Sequence, residues 1–120
     1  MNILVAGGCG FIGVNLIKAI LNRGDERVLV VDDLSVGTLE DLAQVAEFRE
    51  VVISDLGNKR SLAEVSFVKG DIRDEDLAVK ACWGMDAAVH LAANTGVIPS
   101  IEDPRANCSV NVKGTFNFLA

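Results

Sequence analysis

Short apolar runs alternate along this chain with longer segments whose hydrophobic residues recur every three or four positions. The first, Asn2 to Ala6, is a short apolar run ended by glycines, as in a strand buried on both faces. From Phe11 to Arg23 the period changes. Ile12, Leu16 and Ile20 recur every four residues with Ile17 and Leu21 beside them, while Asn15, Lys18 and Asn22 fall opposite. That spacing predicts an amphipathic helix, with Gly24 placed to stop it. Val28 to Val31 is a second β-branched run, closed by Asp32 and Asp33. Thr38 to about Phe48 reads as a helix, with Leu39, Leu42, Ala43 and Ala46 in register and Asp41 at capping-box spacing from Thr38.

Val65 to Lys69 is a third strand, Asp74 to Cys82 a third helix ended by Gly84, and Ala87 to Ala92 a fourth apolar run. Pro104 to Ala120 is a fourth helix with proline in its first turn. Residues 49–63 carry no clear period and leave open a loop alone or a loop with a short extra strand. The order β-α-β-α-β-α-β-α implies an α/β fold, a doubly wound parallel sheet of Rossmann type with helices on both faces. The expected strand order is 3-2-1-4, with a ligand crevice between strands 1 and 4 where the winding reverses.

The chain has 120 residues, the size of one domain, and half of them are hydrophobic. Its formal net charge is −6, which argues against a nucleic-acid partner. Phosphate remains open as a ligand, because backbone N–H groups bind it without lysines. Three widely spaced cysteines, Cys9, Cys82 and Cys108, give neither a disulfide framework nor a metal site, and point to a reducing, cytoplasmic setting. The apolar amino end is broken by glycines and lacks a basic flank, so it is read as neither signal peptide nor membrane span.

The chemistry concentrates in ILVAGGCGFIG, residues 3–13. Gly8, Gly10 and Gly13 fit G-x-G-x-x-G, and Gly7, Gly10 and Gly13 fit G-x-x-G-x-x-G. A strand precedes the motif, a helix follows it, and the next strand ends in Asp32, close to the ~20-residue spacing of a ribose-binding acid. A pyrophosphate must touch the main chain there, and the N–H groups of Phe11 and Ile12 at the helix N-terminus would meet it. A glycine-rich turn that binds nothing is the competing reading, disfavoured by this context. A P-loop is excluded because no Gly-Lys dipeptide occurs. Asp32 suits the two adenosine ribose hydroxyls, and no Arg or Lys lies between Arg27 and Arg49 to accept a 2′-phosphate, so NAD(H) is expected over NADP(H).

Together, GGCGFIG, VDDLSVG, KGDIRD, HLAA and DPRANCSVNVKGT resemble the extended short-chain dehydrogenases, in particular the nucleotide-sugar epimerases and dehydratases of the UDP-glucose 4-epimerase kind. The resemblance implies that Phe11 and Ile12 contact the pyrophosphate. It places Asp32, Asp33, Leu34, Ser35 and Gly37 around the adenosine ribose, and Asp71 and Ile72 beside the adenine. Leu91, Ala92 and Ala93 would run along the cofactor towards the nicotinamide-side ribose, Thr95 would lie near the phosphates, and Asn111 near the nicotinamide. Simpler readings stand beside these: Asp33 as a solvated turn residue, Ala92 and Ala93 as small core residues, and Asn111 as a backbone bridge. His90 is read as a core histidine rather than a catalyst. For Cys9, packing outweighs an activated thiol.

The family's catalytic Tyr-x-x-x-Lys has no counterpart, since the chain contains no tyrosine. Residues 1–120 are therefore expected to be the amino-terminal part of an NAD-binding Rossmann domain, with no catalytic residue of their own. In the parent enzyme the resemblance implies transient oxidation of a nucleotide sugar: NAD⁺ takes hydride while the tyrosinate takes the hydroxyl proton. Association into a homo-oligomer through the edge of strand 4 is a further expectation. The alternative function is a non-catalytic NAD(H)-sensing Rossmann module.

Overall fold

A computed structural model describes residues 2–24, 26–35, 37–52, 54, 56 and 64–91. Five parallel strands form one sheet: β1 (Asn2–Ala6), β2 (Arg27–Asp32), β3 (Arg49–Val51), β4 (Val65–Lys69) and β5 (Ala87–His90). Among the described residues three α-helices join them: α1 (Phe11–Leu21), α2 (Leu39–Ala43) and α3 (Glu75–Cys82). The order across the sheet is β3-β4-β2-β1-β5. This corrects the expected order 3-2-1-4 by one strand. The four anticipated strands keep that order, and Arg49–Val51 adds a fifth beside β4, with Glu50 opposite Phe67 and Val51 opposite Val68.

The alternation of side chains along each strand divides the core in two. Val5, Val28, Val30, Val65 and Phe67 face α1 and α2, packing with Ile17, Ile20 and Leu42. Leu4, Leu29, Val31 and Val68 face the other way, against Leu77 and Ala81 of α3. That is why β1 and β2 read as unbroken apolar runs. Both faces of each strand are covered, and Leu4, Val5, Val30 and Val31 are fully buried.

Local chemistry sets the helix boundaries. The Oγ1 of Thr38 accepts the Asp41 N–H while the Asp41 carboxylate accepts the Thr38 N–H, a closed capping box at the start of α2. Asp74 caps α3 through the N–H of Leu77. The helix expected from Thr38 to Phe48 is shorter than its pattern implied. It ends at Ala43, and Val45, Ala46 and Phe48 pack against the core from an irregular segment leading to β3. Apolar spacing survived there because the segment still lies on the core. The period puts Ile12 on the buried stripe of α1, but in the first turn it is exposed, as is its neighbour Phe11. The helix expected from Pro104 to Ala120 lies outside the described residues. Among the described residues no helix is long and apolar enough to cross a membrane.

Phe67 is almost completely buried and meets Phe48 edge-on, with ring centroids 6.2 Å apart at 66°. Phe67→Ala is expected to lower unfolding free energy by about 3–5 kcal/mol, read from urea denaturation followed by circular dichroism.

Candidate functional site

The parallel register brings four chain segments to one end of the sheet. Ala6 lies opposite Val31 on one side and His90 on the other, and Asp32 lies opposite Lys69. The segments leaving these strands are then tied across one another: the Gly7 N–H donates to the Val31 carbonyl (2.7 Å), Gly70 to Asp32 (3.1 Å), and Leu91 to Ala6 (2.7 Å). Gly7, Asp32, Gly70 and Leu91 thus line a common edge at the carboxyl ends of the strands, where doubly wound sheets bind ligands.

Residues 7–10 turn the chain from β1 into α1, with Gly7 at φ 83°. A Cβ on Gly13 would stand 2.5 Å from the Gly7 carbonyl oxygen and 2.6 Å from the Gly8 Cα, so only glycine lets α1 close onto the turn. Val14 makes the first helical bond, to the Gly10 carbonyl. The N–H groups of Phe11, Ile12 and Gly13 find no acceptor among the described residues, and Phe11 and Ile12 are exposed. Three donors at the positive end of an eleven-residue helix suit an anion.

Asp32 ends β2 with its side chain nearly buried. Its Oδ2 accepts the Cys9 N–H at 3.0 Å and its Oδ1 the Leu34 N–H at 2.8 Å. Asp33 closes its own small turn by accepting the Ser35 N–H at 3.0 Å and is exposed. Leu34 sits at φ 63°, a left-handed conformation that leucine rarely adopts. Gly37 presses against the glycine turn, where a Cβ would lie 2.0 Å from the Cys9 carbonyl oxygen.

Two cations stand near these acids although the stretch between Arg27 and Arg49 holds none. Lys69 is the register neighbour of Asp32 on the next strand. Arg73 is close enough to Asp33 to feel its charge and holds Asp71 in a dense pair. The Arg73 Nε lies 3.0 and 2.9 Å from the two Asp71 oxygens, Nη2 reaches Oδ2, and the Arg73 N–H adds a bond of 2.9 Å. Hydrogen bonding from Arg73 holds the Asp71 carboxyl below its ordinary range. The signal lay in KGDIRD itself, once β4 is placed beside β2. Ile72 is buried, and Leu91 is half-buried.

The Cys9 thiol is buried, and burial with the nearby Asp32 and Asp41 charges pushes it from 9.0 up to about 12. This favours packing over activation. Burial pushes the half-buried His90 imidazole down, which favours its neutral form. Ala92, Ala93, Thr95 and Asn111 lie outside the described residues.

The sequence model of the family described as GDP-mannose 4,6 dehydratase matches residues 4–120. A dTDP-glucose 4,6-dehydratase of Mycobacterium tuberculosis is 34% identical over 99% of this chain and 32% of its own length. Two solved structures align closely. One is the dTDP-glucose 4,6-dehydratase DesIV from Streptomyces venezuelae with NAD and TYD bound (TM-score 0.78, 34% identity, 99% of this chain and 34% of that one). The other is UDP-glucose 4-epimerase from Brucella ovis in complex with NAD (TM-score 0.74, 31% identity, 98% of this chain and 30% of that one). The chain spans about a third of the length of the curated relatives it matches.

The Cys9 thiol gives a pH dependence of definite sign. Above pH 9.0 the unfolded chain loses the thiol proton while the folded chain keeps it to about 12, so the folded state loses ground as pH rises through that window. Urea midpoints of wild type and Cys9→Ala, measured at pH 8 and about 10.5, are expected to show the wild type losing stability relative to the variant at the higher pH.

Proposed function

The chain belongs to the GDP-mannose 4,6 dehydratase family, and from that premise we propose that these residues hold the adenosine and pyrophosphate portion of NAD for a nucleotide-sugar epimerase or dehydratase. The observation that carries this reading is Gly10. Its angles, φ −74° and ψ 173°, are open to any residue, and among the described residues a Cβ there would meet only the Gly7 oxygen at an ordinary 3.6 Å. Among the described residues nothing demands glycine at this position. A ligand pressed against the main chain does, and the free N–H groups of Phe11, Ile12 and Gly13 begin one residue further on.

The remaining roles follow from position. Asp32 accepts from the ribose hydroxyls through lone pairs left over from its two backbone bonds, with Asp33, Leu34, Ser35 and Gly37 shaping that side. Asp71 and Ile72 stand at the end of β4 for the adenine, and Leu91 continues the edge towards the nicotinamide. Ala92, Ala93, Thr95 and Asn111 complete the cofactor set by resemblance. Bound NAD supplies hydride chemistry; this chain's residues bind and orient it. The 120 residues contain no tyrosine to take the substrate's hydroxyl proton, so the chain by itself binds without turning over. For association, β5 supports pairing with a second copy. Among the described residues it is bonded on one side only, to β1, and Ala87 and Ala88 are exposed.

Titration calorimetry of the 120-residue chain is expected to detect NAD and to find NADP weaker. Gly10→Ala should keep stability within about 1 kcal/mol of wild type yet lower NAD affinity about tenfold or more. Equal NAD affinity in that variant would remove the proposal's main support. Incubation of the chain with NAD⁺ and UDP-glucose or dTDP-glucose should give no epimer, keto-sugar or NADH, as followed by chromatography and absorbance.

A further inference from the structure

The Asp32 carboxylate is engaged before any ligand arrives. One oxygen holds the Cys9 N–H of the glycine turn at 3.0 Å, the other the Leu34 N–H of the β2–α2 loop at 2.8 Å. These segments belong to opposite halves of the site, one facing phosphate and the other ribose. They touch a second time where Gly37 packs on the Cys9 carbonyl. Leu34 is held in a left-handed conformation that its side chain disfavours, and its N–H is tied to Asp32. The glycine turn carries no side-chain hydrogen bond of its own at the start of α1.

We propose that Asp32 is a positioning residue for the phosphate half of the site as well as a reader of the ribose. Its carboxylate pins the glycine turn to the β2–α2 loop, and so fixes the direction in which Phe11, Ile12 and Gly13 present their N–H groups. The proposal rests on the dinucleotide reading and adds a consequence that reading lacks. Loss of the carboxylate weakens even a ligand with no ribose hydroxyls to recognise. An asparagine in its place can accept one of the two amides through its oxygen, but its NH2 group faces the other as donor to donor.

The probes are ADP and 2′,3′-dideoxy-ADP, titrated by calorimetry into the 120-residue chain and its Asp32→Asn variant. Coulomb's law alone makes the variant the better anion binder, because a negative charge has been removed beside a phosphate. Positioning has the opposite sign. Asp32→Asn is expected to bind dideoxy-ADP about fivefold or more weakly than wild type, the worth of roughly one hydrogen bond. Equal or tighter dideoxy-ADP binding by the variant, alongside weakened ADP binding, overturns the proposal and leaves Asp32 as a reader of hydroxyls only. Failure of wild type to bind either nucleotide overturns the dinucleotide reading and this proposal with it. A measurement on wild type alone guards against a variant that does not fold. The Cys9 and Leu34 amides should exchange hydrogen more than about tenfold slower than the free Phe11 and Ile12 amides, and unprotected Cys9 and Leu34 overturn the pin.

Discussion

The site depends on how closely the first turn of α1 is allowed to approach the chain leaving β1. With 2.5 Å between a notional Gly13 Cβ and the Gly7 oxygen, that approach is closer than any side chain permits. It sets where the helix begins, and therefore where its unpaired N–H groups point. Val5 and Ile17, both fully buried in one core layer, hold the strand and helix at that separation. Packing and ligand chemistry meet at one turn: the aliphatic core brings the helix in, and bare backbone lets it arrive.

Much of this was legible in the sequence because the elements that build the edge are buried on both faces. Such strands are largely apolar runs: β1 and β2 read correctly for that reason, and β4 did so although the buried Ser66 interrupts it. The glycine motif was legible because it breaks the run abruptly and is followed at once by a helical period. What failed to read was governed by tertiary contact. Residues 44–48 carry a helical-looking pattern, but their hydrophobic groups reach the core from an irregular path. Arg49–Val51 is a strand with only Val51 buried, too short to display a period.

Charge was legible only locally. The two acids closing β2 stand out in VDDLSVG, and the stretch between Arg27 and Arg49 contains no basic residue. Parallel pairing then sets Lys69 beside Asp32, and the β4–α3 turn puts Arg73 where it feels the charge of Asp33. A linear reading counts charges along the chain, whereas the ligand meets charges gathered across strands. Arg73 is already committed to Asp71, so the local field at the acids depends on how that commitment is shared.

The short strand β3 also governs what can happen at the flank of the molecule. It is three residues long, and its first two positions carry opposite charges, Arg49 and Glu50, both exposed. An incoming backbone would find few amides to zip against and would have to strip water from two ions to do so. Sheet extension is discouraged on that side.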